Sequence, residues 1–254
     1  MRQLRIFFIA VQFFTRLPIP QWVGYEPDWV RASARYFPLI GLLVGGATAA
    51  VLLLTARVLP LPLAVLLSTS AGIWLTGALH EDGFADVCDG FGGGHTSVKI
   101  IEIMRDPRIG AFGAIGIGLL LAIKIVALAS MPVPMAALAL LLAHPLSRLA
   151  ATTLIWRMHY AAPDGKASLA AQPMSLTSFM IASAPVLLLL MLVFACDAIT
   201  VRAMVIAVIA MLISTAWLAR KFQQHLGGYT GDCLGAVQQV SEATLYLTLL
   251  ALLR

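Results

Sequence analysis

Long apolar stretches separated by short polar segments dominate this chain. Seven stretches approach the roughly 20 apolar residues that cross a bilayer core, and they predict about seven membrane-spanning helices. They cover residues 36–56, 61–79, 109–130, 135–156, 179–196, 203–219 and 235–253. A shorter run at 6–14 predicts an interfacial helix, with an eighth span as the alternative. The pattern therefore predicts an all-α, polytopic transmembrane helical bundle, with one integral-membrane domain over residues 1–254.

The composition agrees with this prediction. Hydrophobic residues make up 60% of the chain, charged residues only 11%, and the mean hydropathy is +0.92. The net charge is +5, but the basic residues cluster between the apolar stretches. That arrangement is typical of membrane orientation rather than of a nucleic-acid groove, so we expect lipid around the chain and no nucleic acid.

The basic residues also predict an orientation. If residues 16–35 lie in the cytoplasm, alternation of the spans places 80–108, 157–178 and 220–234 there as well. These segments hold ten basic residues: Arg16, Arg31, Arg35, Lys99, Arg105, Arg108, Arg157, Lys166, Arg220 and Lys221. The opposite side holds only Arg57, Arg202 and Arg254. The positive-inside rule therefore predicts that the polar loops with candidate chemistry face the cytoplasm.

The segment LHEDGFADVCDGFGGGH, residues 79–95, carries four of the twelve acidic residues. On a helix, Asp82, Asp86 and Asp89 would share one face, with neighbouring side chains about 5–6 Å apart. Three such carboxylates repel one another unless a cation lies between them, and the hard cation that works beside phosphate is Mg²⁺. The alternative is a solvated amphipathic helix. Zinc is less favoured, because the histidines and cysteine of this segment match no standard zinc spacing.

Three consecutive glycines, Gly92, Gly93 and Gly94, follow the acidic residues. Glycine frees the backbone to turn its N–H groups toward an anion. We therefore expect this run to cradle phosphate oxygens beside the metal.

The next motif is MRDPRIGAFG, residues 104–113. Pro107 suits the first turn of a helix, which would place Asp106 near the N-cap. Arg105 and Arg108 would then stand at the membrane edge, where their guanidinium groups could bind phosphate. The alternative is that the arginines only anchor the chain and that Asp106 only caps a helix.

Several ionisable residues fall inside predicted spans. Glu242 would lie about 15 Å along a helix from Asp232, and an acidic residue at that depth is a functional candidate. Arg148, one turn after His144, needs a partner in the membrane, either Glu242 or a substrate phosphate. Lys124 lies nearer a helix end and is expected to extend its amine toward the interface.

Small residues predict where helices approach closely. Gly41 and Gly45 form a GxxxG motif, and glycines recur from Gly110 to Gly118. Packing of helix backbones in lipid accounts for both sets.

Taken together, five stretches resemble the cobalamin synthase family, the adenosylcobinamide-GDP ribazoletransferases. The stretches are FFTRLPIP (13–20), RYFPLIGLLVGG (35–46), LHEDGFADVCDGFGGG (79–94), IMRDPRIGAFG (103–113) and GGYTGDCLGA (227–236). The resemblance implies a transferase of cobalamin biosynthesis that completes nucleotide loop assembly. A hydroxyl of α-ribazole, or of its 5′-phosphate, would attack the cobinamide-side phosphorus of adenosylcobinamide-GDP and release GMP. It also implies magnesium dependence and an integral location in the bacterial cell inner membrane.

The resemblance also implies site residues. The acidic signature matches Asp82, Asp86 and Asp89, which we assign to Mg²⁺ and catalysis together with Asp232. The substrate-binding candidates are Gly92, Gly93, Gly94, Arg105, Asp106, Arg108, Arg148, Thr230, Gly231 and Glu242. The preferred acceptor, the number of metal ions, the general base and the oligomeric state, including a homo-oligomer, stay open.

Two other functions compete with this interpretation. A CDP-alcohol phosphotransferase of phospholipid synthesis also sets aspartates at helical spacing, but its DGxxAR and GxxxDxxxD pattern is absent here. An ion-coupled transporter could use Asp232, Glu242 and Arg148, but it predicts internally repeated halves, and none is visible.

Overall fold

The computed structural model describes residues 1–161 and 173–253, which form eleven α-helices. These are α1 (Arg2–Phe14), α2 (Pro27–Ser33), α3 (Phe37–Thr55), α4 (Leu61–Thr76), α5 (Leu79–Gly93), α6 (Ser97–Met104), α7 (Ala111–Ala129), α8 (Val133–Arg157), α9 (Leu176–Ala195), α10 (Val201–Leu226) and α11 (Gly231–Leu252). The described residues contain no strand, and their one extended pairing is an isolated bridge between Tyr160 and Tyr229. The predicted all-α class is confirmed.

Within the described residues, five helical segments are long and apolar enough to cross a membrane: Pro27–Thr55, which includes α2 and α3, and the helices α7, α8, α9 and α10. The helices α4 and α5 meet the same criterion only together, and they are bent by 89°. A polytopic helical bundle is thus confirmed, but length and composition support five or six spans rather than seven. The helix α1 has 13 residues and a length of about 20 Å, too short for the alternative eighth span.

The helix α11 accounts for part of that difference. It carries Gln238, Gln239 and Glu242, which lower its hydropathy, and all three are buried among other helices. It nevertheless runs the length of the bundle. Its first turn packs on α5. Near its other end, Leu252 lines a cavity together with Met135, which lies in the first turn of α8. Because protein rather than lipid surrounds this helix, it tolerates a polar side.

Close approach of α3 and α8 fixes the centre of the fold. A methyl group added at Gly41 would lie 2.5 Å from the backbone oxygen of His144, and one at Gly45 would lie 2.9 Å from that of Leu140. The predicted packing role of the GxxxG motif is confirmed, because any larger residue would push the two backbones apart.

The polar ends of the helices gather at one end of the bundle. The segment after α8 pairs with the segment before α11: Ala161 N–H donates to the Tyr229 oxygen, and Tyr229 N–H donates to the His159 oxygen, both at 2.9 Å. At the same end, Arg16 N–H donates to the oxygen of Leu75 near the end of α4. The segment 80–108, expected as a loop, contains the two helices α5 and α6.

Candidate active site

The helices α5 and α11 bring acidic residues from two distant parts of the chain together. Gly83 permits the contact, because a methyl group at this position would lie 2.9 Å from Cα of Asp232. Asp82 and Asp232 line one cavity at this contact. Sequence spacing within α5 predicted its own carboxylates as neighbours, but the approach of Asp232 needed the tertiary structure.

Electrostatic coupling shows that Asp86 belongs to the same group. It lies outside the five spans, and burial is the main reason that its pKa rises to about 7. The charges of Asp82, Asp232 and Asp89 raise this pKa further. Burial likewise raises the pKa of Asp232, and the neighbouring charge of Asp82 adds to that increase. The acidic cluster, defined as Asp82, Asp86 and Asp232, is therefore a site where a positive charge would relieve repulsion.

Asp89 has a different role from the residues of the acidic cluster. Its two carboxylate oxygens accept hydrogen bonds from Gly110 N–H at 2.7 Å and from Gly113 N–H at 2.8 Å. Those donors are unpaired N–H groups at the start of α7, so Asp89 caps this helix from α5. Asp89 is buried, whereas Asp82 is exposed. The three aspartates share a helical face, but they do not share one environment.

The carboxylates of the acidic cluster do not form a closed cage. Among residues 1–161 and 173–253, no group of three His, Cys, Asp or Glu side chains is arranged to hold a metal ion. Mg²⁺ commonly keeps several waters and binds through one or two carboxylates plus substrate phosphates. The donor set is therefore compatible with a site that substrate completes, and it does not resemble a structural metal site.

The loop before α7 differs from its prediction. Asp106 was expected near the N-cap, but α7 begins at Ala111 with Gly110 at the N-cap, and Asp89 satisfies its N–H groups. Asp106 instead pairs with Arg108, accepting from Nε at 2.9 Å and from Nη2 at 2.7 Å. These bonds lower the pKa of Asp106 to about 2.

Of the two arginines in this described loop, Arg105 is the one that forms no ion pair with Asp106. It is exposed at the end of α6, and its charge acts on both Asp232 and Tyr160. The loop thus presents one arginine toward the cluster, and it holds the other, Arg108, in a local ion pair.

The three consecutive glycines do not form an open cradle. Gly92 and Gly93 lie in the last turn of α5, and Gly94 N–H donates to the Gly90 oxygen at 2.9 Å. A side chain at Gly92 would meet the ring of Phe112. Packing against neighbouring helices therefore explains these residues better than the expected phosphate contact.

Thr230 sets the position of Asp232, and Gly231 between them is the first residue of α11. Thr230 is the N-cap of α11 and accepts a hydrogen bond from Cys233 N–H at 3.3 Å. Its hydroxyl also lies 3.3 Å from Oδ2 of Asp232. The cap thus fixes the first turn of α11, where Asp232 faces the cluster.

A buried ionic cluster lies deeper in the bundle, centred on Glu242. One carboxylate oxygen of Glu242 is 2.6 Å from Nζ of Lys124, and the other is 3.1 Å from Nδ1 of His144. Arg148, the expected partner, lies farther away at 3.9 Å. The interfacial position expected for Lys124 was wrong, since this lysine is only 6% exposed. A lysine within an apolar run is the sequence signal that could have identified it.

This ionic cluster connects to α5. Gln239 accepts a hydrogen bond from Lys124 at 2.9 Å, and its amide donates to Glu81 at 2.8 Å. Two N–H groups of Arg148, at Nε and Nη2, have no partner although they are buried. In the described part of the chain, hydrogen bonds through Gln239 therefore link the buried ionic cluster to α5, the helix that carries Asp82 and Asp86.

A cavity of about 830 Å³ opens beside the acidic cluster. Most of its lining is apolar or aromatic, and no sequence motif predicted which residues would form it. Among the lining residues are Phe14, Phe37, Ala151, Ile155, Tyr160 and Tyr229, and the polar residues are His80, Asp82, Arg148, Asp232 and Gln238.

Comparisons with known proteins identify the family of this chain. The family model described as cobalamin-5-phosphate synthase matches residues 6–250. A protein of Leptothrix cholodnii named adenosylcobinamide-GDP ribazoletransferase is 44% identical, over 98% of this chain and 96% of its own length. Proteins of the same name from Shewanella frigidimarina and Ralstonia nicotianae are 41% and 44% identical, over 99% and 97% of this chain and 96% and 95% of their own lengths. No solved structure matches this chain. The chain belongs to the cobalamin-5-phosphate synthase family.

Proposed function

We propose that this protein is an adenosylcobinamide-GDP ribazoletransferase that performs the last step of nucleotide loop assembly in cobalamin biosynthesis. The relatives with this name match the chain over nearly its full length. The structural observation that carries the proposal is the convergence of Asp82, Asp86 and Asp232 from two helices beside a large cavity. Transfer of a phosphoryl group between two large molecules requires charged groups that can hold a metal ion beside phosphate, and a cavity that can admit the reacting groups.

The acidic cluster fits Mg²⁺, because hard carboxylate oxygens from more than one helix converge there and raise one another's pKa values. When bound, Mg²⁺ would neutralise phosphate charge that develops as the phosphoanhydride is cleaved. Asp82 and Asp86 would hold it, with Asp89 one turn away as a clamp on α7 rather than a ligand.

The reaction breaks one bond and forms one. A hydroxyl oxygen of α-ribazole, or of its 5′-phosphate, bonds to the cobinamide-side phosphorus, and the phosphoanhydride bond to GMP breaks with its electron pair going to GMP. The hydroxyl proton moves to Asp232, whose raised pKa makes it a better proton acceptor than an exposed aspartate. The product is adenosylcobalamin or its 5′-phosphate.

Cations of the chain complete the site. Arg105 lies near the acidic cluster, where its guanidinium would bind the phosphate oxygens of the leaving group. Arg108 would join it only by leaving its pair with Asp106, since both groups are bonded to each other. Arg148 also lines this cavity, and its Nε and Nη2 atoms have no hydrogen-bond partner.

Location follows from charge and apolar length. The protein would be a multi-pass component of the bacterial inner membrane, with lipid around its spans, α4 among them, and the acidic cluster on the cytoplasmic side. The excess of basic residues in the segments that contain α5, α6 and the start of α11 supports this orientation.

The test is a transfer assay with purified protein in detergent. We expect conversion of adenosylcobinamide-GDP and α-ribazole to adenosylcobalamin and GMP when Mg²⁺ is supplied, and none when EDTA removes it. Turnover of CDP-diacylglycerol with an alcohol acceptor, in place of this reaction, would instead support the CDP-alcohol phosphotransferase.

A further inference from the structure

The 830 Å³ cavity beside the acidic cluster has an uneven lining. Asp82 and Asp232 contribute carboxylates, whereas aromatic side chains from α1, α3 and two loops form part of the remaining, largely apolar wall. The cavity therefore suits a ligand that has an apolar body and a reactive polar group.

Two aromatic pairs define the apolar part. The rings of Phe14 and Phe37 have centroids 3.9 Å apart, and those of Tyr160 and Tyr229 have centroids 5.5 Å apart, both pairs in edge-to-face geometry. The pairing of the chain at Tyr160 and Tyr229 holds the second pair by backbone hydrogen bonds. Aromatic walls of this kind favour a flat aromatic ligand.

Two residues that line the cavity carry buried polar atoms without hydrogen-bond partners. Arg148 is 1% exposed, and its Nε and Nη2 atoms have no hydrogen-bond partner. The Nε2 atom of His80, which is 5% exposed, also has none. Both side chains line this cavity. Because unpaired buried polar groups are costly, they indicate a ligand with a few acceptor atoms.

We propose that this cavity is the subsite for the base of the acceptor, and that its apolar lining sets which base is accepted. The proposal rests on the proposed function, in which the acceptor is α-ribazole. Its base is a flat benzimidazole with two methyl groups and one free ring nitrogen, which matches the aromatic walls and the free donors. A corrin ring with its amide side chains exceeds the size of the cavity.

Ala151 is the position that tests the assignment. It lies on α8, lines the cavity and is 4% exposed. Ala151→Leu would occupy the space that the methyl groups need. The preceding residue, Ala150, is also 4% exposed but does not line the cavity, so Ala150→Leu is a matched control for crowding in the same helix.

The experiment compares α-ribazole with its analogue on unmethylated benzimidazole. One methyl-sized change in an apolar pocket alters discrimination by roughly 10–200-fold, so we expect the unaltered protein to prefer α-ribazole about 10-fold or more. Ala151→Leu should reduce kcat/KM for α-ribazole about 10-fold or more, reduce that for the analogue much less, and leave KM for adenosylcobinamide-GDP unchanged. Ala150→Leu should keep the original preference.

Two further measurements keep the test decisive. Ile155→Ala enlarges the same cavity and should weaken discrimination between the two acceptors, and it serves if Ala151→Leu does not fold. Equilibrium dialysis with α-ribazole alone should show about 10-fold weaker binding to Ala151→Leu than to Ala150→Leu.

The outcomes separate this proposal from the proposed function. Turnover with an acceptor preference and binding that do not respond at position 151 or 155 would overturn the subsite and leave the function standing. A changed KM for the corrinoid substrate in Ala151→Leu would also overturn it, by assigning the cavity to that substrate. Binding of α-ribazole that responds at position 151, without any transfer, would support the subsite and contradict the function.

Discussion

Asp86 and Asp89 lie about one turn apart on α5, yet their surroundings differ. Asp86 lies near other carboxylates, whereas both oxygens of Asp89 accept hydrogen bonds from backbone N–H groups at the start of α7. If the proposed function holds, the same residue type on the same helical face serves chemistry at one position and architecture at the other.

Substituting these two aspartates should separate the two roles. Asp86→Asn should reduce transfer about 100-fold or more, since it removes charge where the transition state needs it, while the melting temperature stays the same or rises because repulsion is relieved. Asp89→Asn should lower stability by about 1–3 kcal/mol, because two charge-assisted hydrogen bonds are weakened. Thermal unfolding in detergent and the transfer assay measure both effects. An Asp89→Asn protein of normal stability would contradict the capping role.

The buried pair of Lys124 and Glu242 yields a second prediction at this scale. Glu242→Gln should destabilise the protein by about 3–5 kcal/mol, because it leaves Lys124 as a buried charge without a counter-ion. The matched control is Glu102→Gln, which removes an exposed pair with Lys99 and should cost about 1 kcal/mol or less. Equal losses of thermal stability in the two variants would contradict the importance of the buried pair.

Sequence patterns predicted the residue types at these sites better than their contacts. The spacing of Asp82, Asp86 and Asp89 correctly indicated one helical face, but it does not encode that α7 begins beside Asp89. The position of Lys124 near a helix end suggested contact with the interface, and only the approach of α11 supplies Glu242 as its partner. Contacts between residues more than a hundred positions apart depend on packing that local periodicity does not carry.

At the scale of helices, glycines decide which pairs can approach. On α3, Gly41 faces the backbone of α8, whereas a methyl group at Gly46 would meet nothing within 4 Å. The two positions thus offer a comparison within one helix.

Gly41→Ala should destabilise the protein by about 1–3 kcal/mol, because the added methyl group overlaps the backbone of α8 and forces a shift. Gly46→Ala should cause no loss, since the helix gains a better helix former in open space. Thermal unfolding of the two variants in the same detergent provides the measurement. A stable Gly41→Ala protein would show that α3 and α8 can separate freely.

Helix boundaries followed the apolar pattern closely where the helix faces lipid. The stretch 109–130 became α7 at Ala111–Ala129, and the stretch 36–56 became α3 at Phe37–Thr55. The apolar pattern was less informative for α5, α6 and α11. These helices pack against protein, so they carry more polar residues than a helix that faces lipid. The cap of α7 was misassigned to Asp106 because Pro107 is a local signal, whereas Asp89 acts from another helix.

At the scale of the whole molecule, the two ends of the bundle differ in chemistry. One end carries the acidic cluster, and the other carries the loop between α9 and α10, with exposed Cys196 just after α9. If the first end faces the cytoplasm, Cys196 must face outward.

Labelling with a membrane-impermeant maleimide tests this orientation. In spheroplasts of cells that produce Cys88→Ala protein, Cys196 should react without lysis. In a second protein with Cys88→Ala, Cys196→Ala and Val98→Cys, the thiol on α6, at a position 78% exposed, should react only after the membrane is opened. The reverse pattern would place the acidic cluster outside the cell.

The ionic cluster around Glu242 has a consequence for biogenesis. The cations Lys124 and His144 lie on α7 and α8, but their carboxylate is on α11, which is synthesised after them. Until that helix arrives, the earlier spans hold charge that lipid solvates poorly. Maturation of the bundle therefore waits for the insertion of α11, and a chain truncated before α11 would be a natural target for membrane proteolysis.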